Sequence, residues 1–293
     1  MFEGVATAII TPFMDDESVD YSSLEKIVNY QIASGIDAIV VLGTTGESPT
    51  ISKEERTKII ERVVETAKRR VPIIVGTGSY NTHDVVENGK IAAAAEADGL
   101  LIVTPYYNKS TKDGLVEHYK YISERSDLPI ILYNVPSRTG VNLEPDTVIK
   151  IAESCENVIG IKEASGNLSQ VNTLVSLVPE GFKIYSGNDD QTLPLISLGI
   201  NGVISVISNI IPLQFRKMVN TALMGDFDAA REMHRKYLRL MNLMFSEVNP
   251  IPVKFAASRM GLCKNRLRLP LVCASEYSAM VVEDEMNRLG VIA

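Results

Sequence analysis

The sequence predicts an α/β fold, a (β/α)₈ TIM barrel with a C-terminal helical appendage. Short β-rich segments alternate with longer amphipathic segments, and the alternation stops near residue 212, after which only helical patterns follow. Strands separated by helices pair in parallel, and eight such strand-helix units match the barrel count. We therefore expect a catalytic barrel over residues 1–224 and a helical domain over residues 225–293.

An open, doubly wound sheet would give the same local signals. The barrel is favoured because the strand count reaches eight with even spacing, and because no Gly-x-Gly-x-x-Gly motif follows the first predicted strand. Gly76-Thr77-Gly78 lacks the third glycine and follows the third predicted strand, so it is a weak nucleotide-binding signal.

The individual elements follow from local composition. Each predicted strand is a short apolar, β-rich run bounded by turn-forming residues. The predicted strands are residues 5–10, 38–42, 72–76, 99–104, 130–133, 158–162, 183–186 and 202–206. The predicted helices are residues 22–34, 53–70, 82–97, 112–125, 144–154, 167–177 and 190–198, then 213–224, 227–246, 252–260 and 275–289 in the tail. Asp20, Ser52 and Thr111 precede three of these helices and are candidate N-caps.

Composition excludes several classes of protein. Of 293 residues, 45% are hydrophobic and 22% charged, which is ordinary for a globular chain with a large core. A net charge of -7 argues against a nucleic-acid surface. No apolar run reaches transmembrane length, and the N-terminus lacks a signal-peptide pattern. We expect a cytoplasmic protein with no membrane or nucleic-acid partner.

No metal site is predicted. The cysteines are odd in number and fit no ligand spacing, so we interpret them as buried free thiols. The histidines show neither metal spacing nor a Ser/His/Asp arrangement, and we place them on helix surfaces. These residues are Cys155, Cys263, Cys273, His83, His118 and His234.

The segment Val-Ile-Gly-Ile-Lys-Glu-Ala-Ser-Gly, residues 158–166, places Lys162 at the end of an apolar strand. An ammonium there is costly unless it is paired or loses its proton. A neutral amine at a strand end can attack a ketone and form a Schiff base. Alternatively, Lys162 has left the strand and pairs with Glu163 in water. For a lone lysine that second interpretation is the more common one, but the other strand ends weigh against it.

Catalytic groups in a barrel come from the C-terminal strand ends and the loops that follow them. After the second predicted strand, glycines flank Thr44 and Thr45 in the run Gly43 to Ser48. Exposed N–H groups and two hydroxyls in such a turn form a candidate cradle for a carboxylate. For the motif in isolation, a simple tight turn is the favoured interpretation.

Three further strand ends carry candidate groups. After the fifth strand, Tyr133 can pass a proton and Arg138 can bind a carboxylate through two bonds, although a loop arginine is more often a surface charge. Tyr106 and Tyr107 end the fourth strand, where adjacent tyrosines are more often packing or interface residues. Gly187 follows the seventh strand and admits close backbone approach.

Three motifs together carry a family resemblance. Gly43-Thr44-Thr45-Gly46-Glu47, Tyr133-Asn134-Val135-Pro136 and Gly160-Ile161-Lys162-Glu163 occur in the order and spacing of the dihydrodipicolinate synthase / N-acetylneuraminate lyase family. The sequence resembles this family over essentially the whole chain, including the helical tail. Thr45 and Arg138 resemble the synthase branch, whereas the sialic acid lyases typically carry Ser-Thr in the first motif and no arginine in the second.

The resemblance implies a class I aldolase-type lyase of diaminopimelate and lysine biosynthesis. It would condense pyruvate with aspartate 4-semialdehyde to 4-hydroxy-tetrahydrodipicolinate. It implies that Lys162 forms the pyruvate imine, so that neither a metal nor an organic cofactor is needed. We also expect a homotetramer built as a dimer of dimers, because Tyr106 and Tyr107 place two large aromatic side chains in a strand-end loop where one would suffice for a pocket.

The resemblance also assigns roles to single residues. Tyr133, Thr44 and Tyr107 would form a proton relay, with Tyr107 reaching in from a neighbouring subunit. Thr44 and Thr45 would hold the pyruvate carboxylate, and Arg138 the carboxylate of the semialdehyde. The family positions that line the pyruvate pocket by backbone contacts match Gly187 and Ile204.

A degenerate effector site is a further implication. Family members inhibited by lysine bind it at a dimer-interface cleft, whose positions match Ser48, Pro49, Lys53, Arg56, Tyr80, Asp84 and Tyr106. Lys53 and Arg56 stand where the inhibited pattern has histidines, so two cations would face a dicationic ligand. We expect weak or absent inhibition, unless Lys53 and Arg56 turn outward and pair with Glu54 or Glu55.

Two other functions stay open from the sequence. One is a sibling pyruvate-dependent lyase that acts on a sugar acid, which Arg138 argues against. The other is a non-catalytic barrel that binds a keto acid as a regulator. The presence of the lysine, both threonines and both tyrosines argues against that second alternative.

Overall fold

The computed structural model describes residues 1–292, and it contains the predicted barrel. Eight parallel strands close on themselves in sequence order, with β1 paired to both β2 and β8. The strands are β1 Gly4–Ala8, β2 Ala38–Val41, β3 Ile73–Gly76, β4 Gly99–Val103, β5 Ile130–Asn134, β6 Val158–Glu163, β7 Lys183–Ser186 and β8 Gly202–Ser205.

Helices surround the barrel and form the tail. Those that follow the strands are α1 Tyr21–Ala33, α2 Lys53–Ala67, α3 Thr82–Ala94, α4 Lys112–Ser123, α5 Pro136–Thr139, α6 Pro145–Ser154, α7 Leu168–Leu177 and α8 Thr192–Ile196. The last four are α9 Pro212–Leu223, α10 Phe227–Leu243, α11 Ile251–Arg259 and α12 Glu276–Leu289. Helix α9 packs against β1, and α10 packs on both α9 and α12, so the contacts run continuously from the barrel into the tail. The domain boundary at residue 224 therefore stays a prediction.

The three predicted N-caps are confirmed. Asp20, Ser52 and Thr111 each accept a hydrogen bond from a backbone N–H in the first turn of their helix. Ser52 and Glu55 form a reciprocal capping box, which satisfies two amides that the helix start leaves without partners. The stop of α2 was predicted three residues too late, because Lys68 and Arg69 adopt positive φ angles of 50° and 57°.

Alternate strand residues divide the core into two layers. One set points into the barrel and includes Ala6, Val40, Tyr133, Tyr185 and Ile204. The other set faces the helices, as expected when successive side chains of a strand point to opposite sides. The barrel interior is thus packed with side chains, and open space is left only towards its ends.

Two predictions about single side chains are wrong. His118 is not a surface residue: it is 6% exposed, and its Nδ1 lies 2.9 Å from the Thr82 hydroxyl, because α4 turns this position towards α3. The three thiols are free, but Cys273 is exposed and Cys263 is only half-buried. Both lie in the tail, where the loops leave them nearer the surface than Cys155.

Within residues 1–292, no helix has the length and apolar character needed to cross a membrane. The same part of the chain contains no group of three or more His, Cys, Asp and Glu side chains arranged to hold a metal ion.

Candidate active site

Lys162 lies near the end of β6 with its side chain inside the barrel. The residue is 5% exposed, and its Cα is the register partner of Tyr133 on β5. Register partners on neighbouring strands point to the same face of a sheet, and the Lys162 Nζ accordingly lies 4.4 Å from the centroid of the Tyr133 ring. The structure therefore brings together the predicted Schiff-base lysine and the predicted proton carrier.

Glu163 points to the other side of the strand and does not pair with Lys162. Its carboxylate accepts hydrogen bonds from Asn134 Nδ2 at 2.9 Å, Gln170 Nε2 at 3.1 Å and the Ser165 N–H at 2.6 Å. The alternative in which Lys162 sits in water beside Glu163 is therefore wrong. The amine stays in the barrel because the strand continues one residue beyond it.

The Lys162 side chain opens onto a cavity of about 140 Å³ at the C-terminal end of the barrel. Five other predicted site residues line the same cavity: Thr44, Thr45, Tyr133, Arg138 and Gly187. Ile204 instead lies in the barrel interior, fully buried among the inward-facing side chains. Tyr107 is outside the cavity, with 89% of its surface exposed.

Gly187 leaves room for the lysine. A Cβ at this position would lie 2.5 Å from the Ala164 Cβ and 3.1 Å from the Lys162 Cε. Contacts that short require a neighbour to shift. Any larger residue would therefore force Ala164 to shift and would crowd the Lys162 side chain.

The loop after β2 presents the two threonines at the start of a 3₁₀ turn, Thr44–Gly46. The N–H groups of Gly46 and Glu47 are used inside the turn, on the carbonyls of Gly43 and Thr44. The N–H groups of Thr44 and Thr45 are at the helix start and have no intrahelical acceptor. This is an arrangement that can bind a carboxylate.

Arg138 reaches the cavity from the short helix α5. The residue is exposed, and its Nη2 donates a 3.3 Å hydrogen bond to the carbonyl oxygen of Asn249 in the tail. Within residues 1–292 its guanidinium forms no salt bridge, so it remains available for an anionic ligand.

The structure adds site residues that the sequence reasoning missed. Asn188, Val206, Phe245 and Asn249 also line the Lys162 cavity. Asp189 is fully buried just behind it and accepts hydrogen bonds from the N–H groups of Val206 and Ile207. Burial raises the pKa of Asp189 to about 6, although these hydrogen bonds oppose the change. No sequence feature marked Phe245 and Asn249 as site residues, because they follow a tail helix and the candidates were sought at the ends of strands.

Comparison with known proteins assigns the family. The profile of the dihydrodipicolinate synthetase family matches residues 1–288. The chain belongs to the dihydrodipicolinate synthetase family. A 4-hydroxy-tetrahydrodipicolinate synthase of Fervidobacterium nodosum is 50% identical over 293 residues, covering all of both chains.

Solved structures of the dihydrodipicolinate synthetase family are also similar. The dihydrodipicolinate synthase of Thermotoga maritima superposes with a TM-score of 0.98 at 47% identity, with full coverage of both chains. A chloride-inhibited synthase of Acinetobacter baumannii in complex with pyruvate superposes with a TM-score of 0.97 at 41% identity, again with full coverage of both chains.

A second, larger cleft of about 530 Å³ adjoins the Lys162 cavity in this family member. It shares Thr44, Tyr133 and Arg138 with that cavity. It also contains all but one of the predicted effector positions: Ser48, Pro49, Lys53, Arg56, Asp84 and Tyr106. The remaining one, Tyr80, packs edge-on against Tyr106 with ring centroids 5.6 Å apart.

Within the described residues, neither Lys53 nor Arg56 forms an ion pair with Glu54 or Glu55. Arg56 is 7% exposed and donates to the Gly76 carbonyl at 3.0 Å and the Ser48 hydroxyl at 2.8 Å. Glu55 is bound by Arg268, and Glu54 accepts from the Ser52 hydroxyl. The outward-pairing alternative for Lys53 and Arg56 is therefore wrong within the described residues.

Proposed function

We propose that this chain is a 4-hydroxy-tetrahydrodipicolinate synthase, which condenses pyruvate with aspartate 4-semialdehyde. The observation that carries the proposal is a buried lysine in a cavity that has two separate carboxylate-binding elements, the Thr44–Thr45 turn and Arg138. Two carboxylate substrates and one imine-forming amine are what this condensation requires. Relatives that carry this name match the chain over its full length.

The first step joins pyruvate to Lys162. The Lys162 amine adds to the ketone carbon and water leaves, which gives an iminium. The N–H groups of Thr44 and Thr45 hold the pyruvate carboxylate during this step. The iminium draws electrons from the methyl group, which loses a proton and becomes an enamine carbon.

The second step forms the carbon–carbon bond. The enamine carbon attacks the aldehyde carbon of the semialdehyde, and the aldehyde oxygen takes up a proton. Tyr133 and Thr44 move this proton, together with Tyr107 from a neighbouring subunit. Arg138 holds the carboxylate of the semialdehyde and so orients its aldehyde towards the enamine.

The third step closes the ring and frees the enzyme. The amino group of the former semialdehyde attacks the imine carbon, and the Lys162 amine leaves. No redox change and no metal-bound intermediate enter this sequence, since the iminium formed on Lys162 serves as the electron sink.

The direct test is intact mass after incubation with pyruvate and borohydride, followed by mapping of the modified peptide. We expect one pyruvate-derived adduct, on the peptide that contains Lys162. An unmodified protein would overturn the proposal and revive the regulatory, non-catalytic alternative. Rates with aspartate 4-semialdehyde and with a panel of keto-sugar acids separate the synthase from a sugar-acid lyase.

We further propose a homotetramer in which Tyr107 completes the active site of a neighbouring subunit. Tyr107 is 89% exposed and has a positive φ of 67°, an unfavourable backbone conformation for a large aromatic residue. An exposed aromatic on a strained loop is accounted for if a second copy of the chain covers it.

Subunit mixing tests the role of Tyr107 across an interface. We expect Tyr107→Phe and Lys162→Ala to be nearly inactive alone but to regain about a quarter of wild-type activity when dissociated and reassociated together. In a mixed dimer, one site has its own lysine and receives an intact tyrosine from its partner. Absence of recovery in verified mixed dimers, or a fully active monomer on sedimentation, would contradict the proposal.

Lysine is expected to inhibit this enzyme weakly or not at all. The cleft contains the cations Lys53 and Arg56 at effector positions and Arg138 on the wall that it shares with the Lys162 cavity, with Asp84 and Glu87 as its acidic residues. Two like charges about 4 Å apart repel by about 4 kcal/mol at an effective dielectric constant of about 20. Initial rates at saturating pyruvate, with lysine titrated into the millimolar range, check this. Strong inhibition at lysine concentrations below about 1 mM would show that attraction to the acidic side chains outweighs repulsion by the cations.

A further inference from the structure

The turn that carries Thr44 and Thr45 ends at a buried carboxylate. Glu47 follows the turn in the left-handed conformation, with φ 54° and ψ 36°, and only 2% of the residue is exposed. Its Oε2 accepts the backbone N–H of Arg268 at 3.1 Å. Its Oε1 accepts a hydrogen bond from the Lys254 Nζ at 2.5 Å. Both partners belong to the C-terminal region, so the turn is tied to the helical tail.

Lys254 has no solvent contact. It lies on α11, both side chains of the ion pair are 0% exposed, and its Nζ stacks 4.0 Å from the centroid of the Phe13 ring. Burial lowers the pKa of Lys254, and the Glu47 carboxylate opposes that change. This lysine cannot reach a substrate in the Lys162 cavity, whose lining it does not join.

The same part of the tail touches both carboxylate-binding elements. Asn249 Nδ2 donates to the Thr45 hydroxyl at 3.0 Å, and the Asn249 carbonyl accepts from Arg138. Lys254 follows one helical turn later, and its N–H donates to the Pro250 carbonyl. The position of α11 therefore sets the positions of the turn and of the Asn249 contacts together.

A buried ion pair is poor evidence of added stability, because desolvation of two charges offsets their attraction. Its best-supported use is to fix one arrangement among several. Here, the arrangement that it fixes is that of the Thr44–Thr45 turn, since Glu47 is the residue that ends the turn.

We infer that the Glu47–Lys254 pair is a positioning device for the pyruvate carboxylate: it holds the Thr44 and Thr45 N–H groups in their binding geometry from the tail side. The inference rests on the proposed function, in which these N–H groups bind pyruvate. It makes Lys254 a positioning residue of the active site, although it never touches the substrate.

The test measures the pyruvate concentration that gives half-maximal borohydride trapping, alongside both Michaelis constants. For Lys254→Met and Glu47→Gln we expect the half-saturating pyruvate concentration to rise about tenfold or more, as for small misplacements of binding groups. The KM for the semialdehyde should change by less than about twofold, because Glu47 and Lys254 hydrogen-bond to each other and not to Arg138. Tm is recorded for each variant.

The double variant Glu47→Gln/Lys254→Met separates positioning from stability. It leaves no unpaired buried charge, so it should melt above Lys254→Met, yet it should still need high pyruvate concentrations for trapping. This variant also carries the test if Lys254→Met fails to fold. Glu285→Gln is the matched control: it neutralises a different buried carboxylate, on α12 and bound by Arg288, and should trap pyruvate like wild type.

The outcomes are distinguishable. If wild type itself is not trapped, the proposed function fails. If wild type is trapped and the folded variants reach half-saturation at the wild-type pyruvate concentration, the positioning role is wrong and the pair is merely structural. The positioning role is also wrong if the double variant recovers both its Tm and its pyruvate affinity relative to Lys254→Met.

Discussion

Lys162→Ala is expected to abolish pyruvate trapping and to lower kcat by on the order of 10⁴-fold or more, as removal of a covalent nucleophile does in other enzymes. The lysine is the reacting group, and the structure offers no second amine in the cavity that it lines. Folding should be retained, because the truncated side chain borders an existing cavity, and within residues 1–292 Lys162 forms no salt bridge that its removal would break.

Lys183→Ala is the matched control for this experiment. Lys183 opens the neighbouring strand β7, at the opposite end of the barrel, and its Nζ is bound by Glu3 at 2.9 Å. This variant should trap pyruvate like wild type. A peptide map that places the adduct on any lysine other than Lys162 would refute the assignment.

The barrel could be predicted because the same strand–helix pattern recurs eight times along the sequence. Each strand is apolar on both faces and each is followed by an amphipathic segment, so the count reaches eight although several element ends were misplaced. The misplaced ends depend on single backbone conformations. At Lys68 and Arg69, for example, two positive φ angles end α2 where the sequence continues as a good helix former.

Site residues on strand ends could be predicted for a related reason. Parallel strands of a barrel bring their C-terminal ends together, so Lys162, Tyr133 and Thr44 converge even though they are far apart in sequence. The direction of Glu163 was undecided, because that depends on whether the strand continues one residue further. The observed register of β5 and β6 settles it.

The contribution of the tail could not be predicted. Asn249 and Lys254 are placed by the way that α11 docks on the barrel, and docking geometry leaves no periodic pattern in a sequence. A lysine in an amphipathic segment is most often a solvated side chain, yet Lys254 is fully buried. Its burial depends on a carboxylate 207 positions away in the chain, at Glu47.

Arg138→Ala is expected to reduce kcat/KM for aspartate 4-semialdehyde by about 100-fold or more, since hydrogen bonds to a charged group contribute about 1.5–3 kcal/mol each. Pyruvate trapping should be unchanged, because the Thr44–Thr45 turn makes the pyruvate contacts. The fold should also be unchanged, since within residues 1–292 the exposed guanidinium makes a single hydrogen bond, of 3.3 Å, to the Asn249 carbonyl.

Arg138→Lys is the informative companion. A lysine keeps the positive charge but cannot donate two parallel hydrogen bonds to one carboxylate, so its kcat/KM should fall between those of wild type and Arg138→Ala. Steady-state rates with each substrate varied in turn give the comparison. An alanine variant with wild-type semialdehyde kinetics, or one that loses pyruvate trapping to the same extent, would mean that Arg138 does not hold the second carboxylate.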